Sequence, residues 1–163
     1  MMKKIGILLT VAAILVSMTV PSVLACTTRT PGYWKNHLEA WPTTGTITVG
    51  ALPYGLSDSG DVDDLMDILW AKPKKGNAWI ILAQKVIAAQ LSMLVYPHNG
   101  WSELGNFGGY TDGMVGLVGN ANIWLASHAN PCLPGAMNRD TGLALAETMD
   151  HWLNEWNEHG LNG

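Results

Sequence analysis

The chain has 163 residues, 48% of them hydrophobic and 13% charged, and carries a formal net charge of −4. An acidic chain lacks the basic face that phosphate backbones require, which sets nucleic acid aside as a partner. Neither an internal repeat nor a low-complexity tract is visible, and the length suits one domain with one core.

The first 25 residues read as an export signal. MMKK is a short basic start, Ile5 to Val20 is an apolar run, and Val23-Leu24-Ala25 offers modest side chains before Cys26. A membrane anchor is the competing reading, but a run of about 16 residues falls short of the ~20 that span a bilayer. Residues 1–25 are therefore expected to be removed, leaving 26–163 as a single secreted domain with no transmembrane span. Loss of Lys3 and Lys4 would take the net charge from −4 to about −6.

Only two cysteines occur, Cys26 and Cys132. In an exported chain an even count reads first as a disulfide, and closing a loop of about 106 residues would stabilise the fold by roughly 4–5 kcal/mol. The rival reading makes Cys26 a lipidated first residue, since Val-Leu-Ala-Cys partly fits a lipoprotein cleavage box. That reading leaves Cys132 as a lone exported thiol.

Thr30-Pro31 predicts a helix start, with Thr30 as N-cap and Pro31 at the first helical position. Trp34, Leu38 and Trp41 then fall on one helical face, and Pro42 ends the run. The segment from Thr43 to Gly60 has β-branched residues at Ile47, Thr48 and Val49 amid glycine and proline, which predicts an extended loop with at most one short strand. Such a strand at Thr46 to Val49 offers an edge for self-assembly.

Asp61 to Lys72 reads as a helix with Leu65, Ile68 and Leu69 inward and aspartates on its first turn. The lysines that follow it, Lys72, Lys74 and Lys75, read as a solvated turn. Asn77 to Val95 is apolar almost all round and predicts a central buried helix. Lys85 at its middle argues against a membrane span, and a soluble core must then supply partners for Gln84, Lys85 and Gln90. A glycine-rich loop from Pro97 to Gly113 carries Trp101, Phe107 and Tyr110. Further helices are expected from about Met114 to His128 and from Arg139 to Glu158, the last with Leu145, Met149, Trp152 and Trp156 on one stripe. The class is all-α, an orthogonal or bundle-like domain of about four to five helices with a loop-rich N-terminal segment.

Cys26-Thr27 followed by Thr30-Pro31-Gly32-Tyr33-Trp34-Lys35-Asn36-His37 resembles a motif of secreted bacterial and archaeal proteins, generally uncharacterised, of the form cysteine, then T-x-G-Y-W-K-N-H-P-E-A-W. Gly76-Asn77-Ala78, Ile81 to Gln84 and Ile87 to Leu91 resemble a further helix of that group, and Leu145 to Asp150 its last one, so the likeness covers most of residues 26–163. Leu38 departs from the usual proline, and the aromatic glycine loop is longer than is common. The resemblance implies export and a shared domain but no chemistry. Since the motif cysteine of such proteins can lie far from any signal peptide, it also favours the disulfide.

Local chemistry supplies the candidate sites. Glu147, His151, Glu155 and His159 follow at i, i+4 steps and could offer imidazole and carboxylate to zinc, although no HExxH pattern supports this. Asp58, Asp61, Asp63 and Asp64 could offer oxygens to calcium, but not at the spacing of the twelve-residue calcium loop, and helix capping accounts for acids there. No cofactor is assigned. None of the five histidines has a recognisable nucleophile partner.

Eight tryptophans invite a binding reading, because exposed aromatics in polar loops are common platforms for protein or carbohydrate partners. The candidates are Trp101, Phe107 and Tyr110, with Tyr33 and Trp41, and with Lys35, Asn36 and His37 as the polar end of the opening motif. The structural reading has Trp34, Trp70, Trp79, Trp124, Trp152 and Trp156 fill a core under a disulfide-tethered clasp. The expectation is a secreted or cell-surface non-catalytic domain that recognises an extracellular protein or glycan, or contributes to an extracellular structure. The alternative is a metal-dependent extracellular enzyme using His37 or the His151/His159 face.

Overall fold

The computed structural model describes residues 28–74, 76–96, 113–128 and 139–159, with side chains as far as Asn154. In chain order these form α1 (Pro31–Asn36), a 3₁₀ turn (Leu38–Ala40), β1 (Thr46–Val49), β2 (Leu52–Gly55), α2 (Ser59–Trp70), α3 (Ala78–Val95), α4 (Gly113–Ser127) and α5 (Arg139–His159). The fold is all-α, with five helices and one small two-stranded sheet among the described residues.

Helix α3 is the axis of the molecule. Asn77 caps it by accepting from the amides of Trp79 and Ile80, and its apolar faces are then covered on several sides at once. Leu82, Val86, Ile87 and Leu91 are all fully buried, each contributing about 1.5–3 kcal/mol by the usual area scale. Alanines 83, 88 and 89 lie among them and let neighbouring helices approach closely. Helices α4 and α5 pack on α3 and on each other, while α1, α2 and β1 cover its remaining sides. By length and composition α3 could cross a membrane, yet half of it is buried inside this fold.

Gln84, Lys85 and Gln90 of α3 each find the partner that burial demands. Gln84 donates its amide to the carbonyls of Ile68, Leu69 and Ala71, which closes the C-terminal end of α2. Lys85 pairs with Asp150 of α5. Gln90 accepts from the amide of Thr48 at 3.0 Å and donates to its carbonyl at 2.7 Å, so the side chain pairs with β1 as a strand edge would.

The hairpin corrects the expectation of an isolated strand. β1 pairs antiparallel with β2, Val49 opposite Leu52 and Thr48 opposite Pro53, across a two-residue turn at Gly50-Ala51. Gly50 has φ of 64°, the left-handed region that tight hairpin turns require, and its amide donates to Asn122. Pro53 fits because the backbone polar groups of Thr48 face Gln90, so this pair needs no amide from Pro53. The same contact means that β1 has no open edge at Thr48 for a neighbouring molecule.

Two further expectations are corrected. Helix α1 ends at Asn36, so Leu38 lies in the 3₁₀ turn and is 49% exposed rather than sharing a buried face with Trp34. Trp70, assigned to the core, is 54% exposed, whereas Leu65 and Leu69 of the same helix are buried.

Candidate binding site

The opening motif is built with an inner and an outer half. Thr30 accepts from the amide of Tyr33 and Pro31 occupies the first helical turn, as their residue types predict. Six residues are too few for a helix to persist alone, so α1 depends on its anchor. That anchor is Trp34, with no exposed surface, whose indole N–H donates to Ser92 Oγ at 3.3 Å. Ser92 also accepts from the amide of Arg29 and donates to the carbonyl of Ala88. Trp41 returns through the 3₁₀ turn and donates its indole N–H to the carbonyl of Trp34 at 2.9 Å. Thr28 ties the segment before α1 to α5 by donating to the carbonyl of Leu153.

The outer half faces a cleft of about 480 Å³ between α1, the end of α2, α3 and α5. Gly32, Lys35, Trp70, Lys72, Lys85 and Asp150 line it, a volume within the range of small-ligand sites. The Lys35 ammonium sits 4.9 Å from the centre of the exposed Trp70 ring, a cation–π contact of about 0.5–1 kcal/mol at such a site. Because Gln84 holds the last carbonyls of α2, the position of Trp70 is set from the buried side. Lys85 and Asp150 form the floor, their side chains 20% and 43% exposed. An aromatic plate, ammonium groups and an ion pair can bind a ligand.

Beside the cleft, Tyr33 packs against two neighbours, with Arg29 4.8 Å from its ring centre and the His37 ring 4.4 Å away at an interplanar angle of 26°. His37 Nδ1 lies 2.8 Å from Glu39 Oε1, and this hydrogen bond holds the Glu39 carboxyl below its ordinary range.

Of the residues singled out by sequence, Lys35 reaches the cleft directly. Asn36 donates to the carbonyl of Gly32 and stays on the surface, and His37 is taken up by Tyr33 and Glu39. Trp41 is buried at 8% exposure, which corrects its place among binding aromatics. Asp58 accepts from Gly60 as the N-cap of α2, and Asp61 accepts from Gly55 at 2.6 Å, so both carboxylates serve the backbone; Asp63 is exposed beside them. Glu147 and His151 are exposed on α5. Among the described residues no three such side chains gather as a metal-holding group. Cys26, Cys132, Trp101, Phe107 and Tyr110 lie outside the described residues, as do the side chains of Glu155 and His159.

Sequence reading missed Trp70, Lys72, Lys85 and Asp150 as a set. One signal was available: Trp70 follows Leu69 directly and so lies about 100° from the buried stripe of its helix. Lys72, read as part of a solvated turn, is exposed as that reading expects and also lines the cleft. Comparison with protein-family models, with curated proteins and with solved structures gave no match.

Proposed function

We propose that the chain is a secreted or cell-surface, non-catalytic domain that recognises an extracellular partner through the cleft between α1 and the end of α2. The observation that carries this reading is Trp70. It is 54% exposed while Trp34 and Trp41 of the opening motif are buried, and it lines a cleft into which the motif contributes Lys35. A lone exposed aromatic needs no explanation, but one held in place next to ammonium groups in a concave surface has the composition of a recognition hot spot. Export is supported by the apolar run of residues 5–20 behind a basic start. The metal-enzyme alternative has no comparable support, since His37 is engaged by Glu39 and Tyr33.

The test is retention of purified protein on the cell envelope and extracellular matrix of its own host. Trp70→Ala is expected to weaken retention at least ~10-fold, as hot-spot truncations do. Retention equal to that of the unaltered protein would remove the cleft from consideration.

A further inference from the structure

The charge inside the cleft runs against that of the chain. The whole sequence is acidic at −4, yet three of the four ionisable side chains lining the cleft are lysines: Lys35, Lys72 and Lys85, with Asp150 the fourth. Lys85 and Asp150 neutralise each other across α3 and α5. Lys35 and Lys72 thus leave the site with two ammonium groups, one of them resting on the Trp70 ring. Taking the cleft as the recognition site proposed above, we infer that its ligand is an acidic glycan, an oligosaccharide bearing uronate sugars.

The chemistry of the two wall elements selects this class. An indole face carries negative quadrupole charge and attracts the C–H face of a pyranose ring stacked upon it. A uronate places its carboxylate at the rim of that same ring, where a lysine beside the indole can meet it. Lysine suits the task, because its ammonium offers three donors on a flexible stem rather than a rigid fork. In the free protein Lys35 lies over Trp70; on binding, the sugar takes the ring and the ammonium moves to the carboxylate.

Other anions use less of the site. A bare phosphate would engage the lysines but leave the indole idle. An extended acidic peptide draws much of its affinity from main-chain pairing. Here the carbonyls at the end of α2 are taken by Gln84.

Calorimetric titration of the folded chain tests the inference, with tetrasaccharides of galacturonate, glucuronate and mannuronate as probes. The methyl ester of each, cellotetraose, hexaglutamate and inorganic phosphate serve as comparisons. At least one uronate tetrasaccharide is expected to bind, more weakly as salt rises, and its methyl ester at least ~10-fold more weakly still. Trp70→Ala should lose ~10-fold or more, and Lys35→Met should lose about as much while flattening the salt dependence. Binding by no uronate would overturn the inference, as would equal affinity for the neutral ester or cellotetraose. Preference for hexaglutamate or phosphate that is indifferent to Trp70→Ala would overturn it too. If uronates fail while Trp70→Ala still abolishes retention on host material, only the ligand class falls. If retention is unaffected, the cleft itself is wrong.

Discussion

Trp34 and Trp70 belong to neighbouring helices and have opposite fates. Trp34 has no exposed surface, its N–H is bound to Ser92 and its carbonyl is bound by Trp41, so its own indole N–H and carbonyl are satisfied from within. Trp70 keeps 54% of its surface in solvent and has the Lys35 ammonium over its ring. Residue type alone does not distinguish a tryptophan that builds the fold from one that the fold displays. What separates them is whether neighbouring elements spend their hydrogen bonds on the side chain itself or, as Gln84 does for Trp70, on the backbone that carries it.

The largest effect expected from this contrast is that of Trp34→Ala. Removing a fully buried indole costs about 3–5 kcal/mol, and α1 loses the anchor that a six-residue helix requires. Urea unfolding should show the loss in midpoint, with the outer surface of the motif disordered as well. A change below ~1 kcal/mol would mean that α1 is held by something other than Trp34.

Ser92→Ala should follow. It removes no large side chain, but it takes away the acceptor of both the Trp34 indole and the Arg29 amide inside a sealed seam. Donors stranded in that way cost about 1–3 kcal/mol. Ser92→Thr, which keeps the hydroxyl, serves as the comparison in thermal unfolding. If Ser92→Ala matches the unaltered protein, the seam is held by packing and not by these hydrogen bonds.

The buried half of this comparison was largely legible in the sequence, and the displayed half was not. The near-continuous apolar run of α3 demanded a central position, and Gln84, Lys85 and Gln90 within it demanded partners; burial admits few other solutions for such groups. Which partners they take depends on how α2, β1 and α5 are laid against α3, and no local pattern encodes that. Thr30-Pro31 announced the start of α1, but its end at Asn36 was masked because Trp34, Leu38 and Trp41 happen to share helical spacing. Trp41 is buried as that spacing suggested, though by a 3₁₀ turn rather than by one continuous helix. The hairpin was hidden by Pro53 and the glycines around it, residues that usually argue against a strand. The cleft draws on α1, α2, α3 and α5, so its lysines and Asp150 are scattered over more than a hundred residues of chain and leave no local motif.

The smallest expected effect on stability is that of Trp70→Ala, and its smallness is what the comparison needs. The substitution gives up partial burial of one face and an exposed cation–π contact of about 0.5–1 kcal/mol. Against this, alanine is the better helix former by a few tenths of a kcal/mol at the last position of α2. The lysine that covered the ring also regains its rotamer freedom. The net change in unfolding free energy should therefore stay below about 1 kcal/mol, with an unaltered dependence on urea concentration, while binding in the cleft falls. A loss of more than ~2 kcal/mol would place Trp70 with Trp34 among the residues that hold the fold, and the exposed ring would then be a rim of the core and not the plate of a binding site.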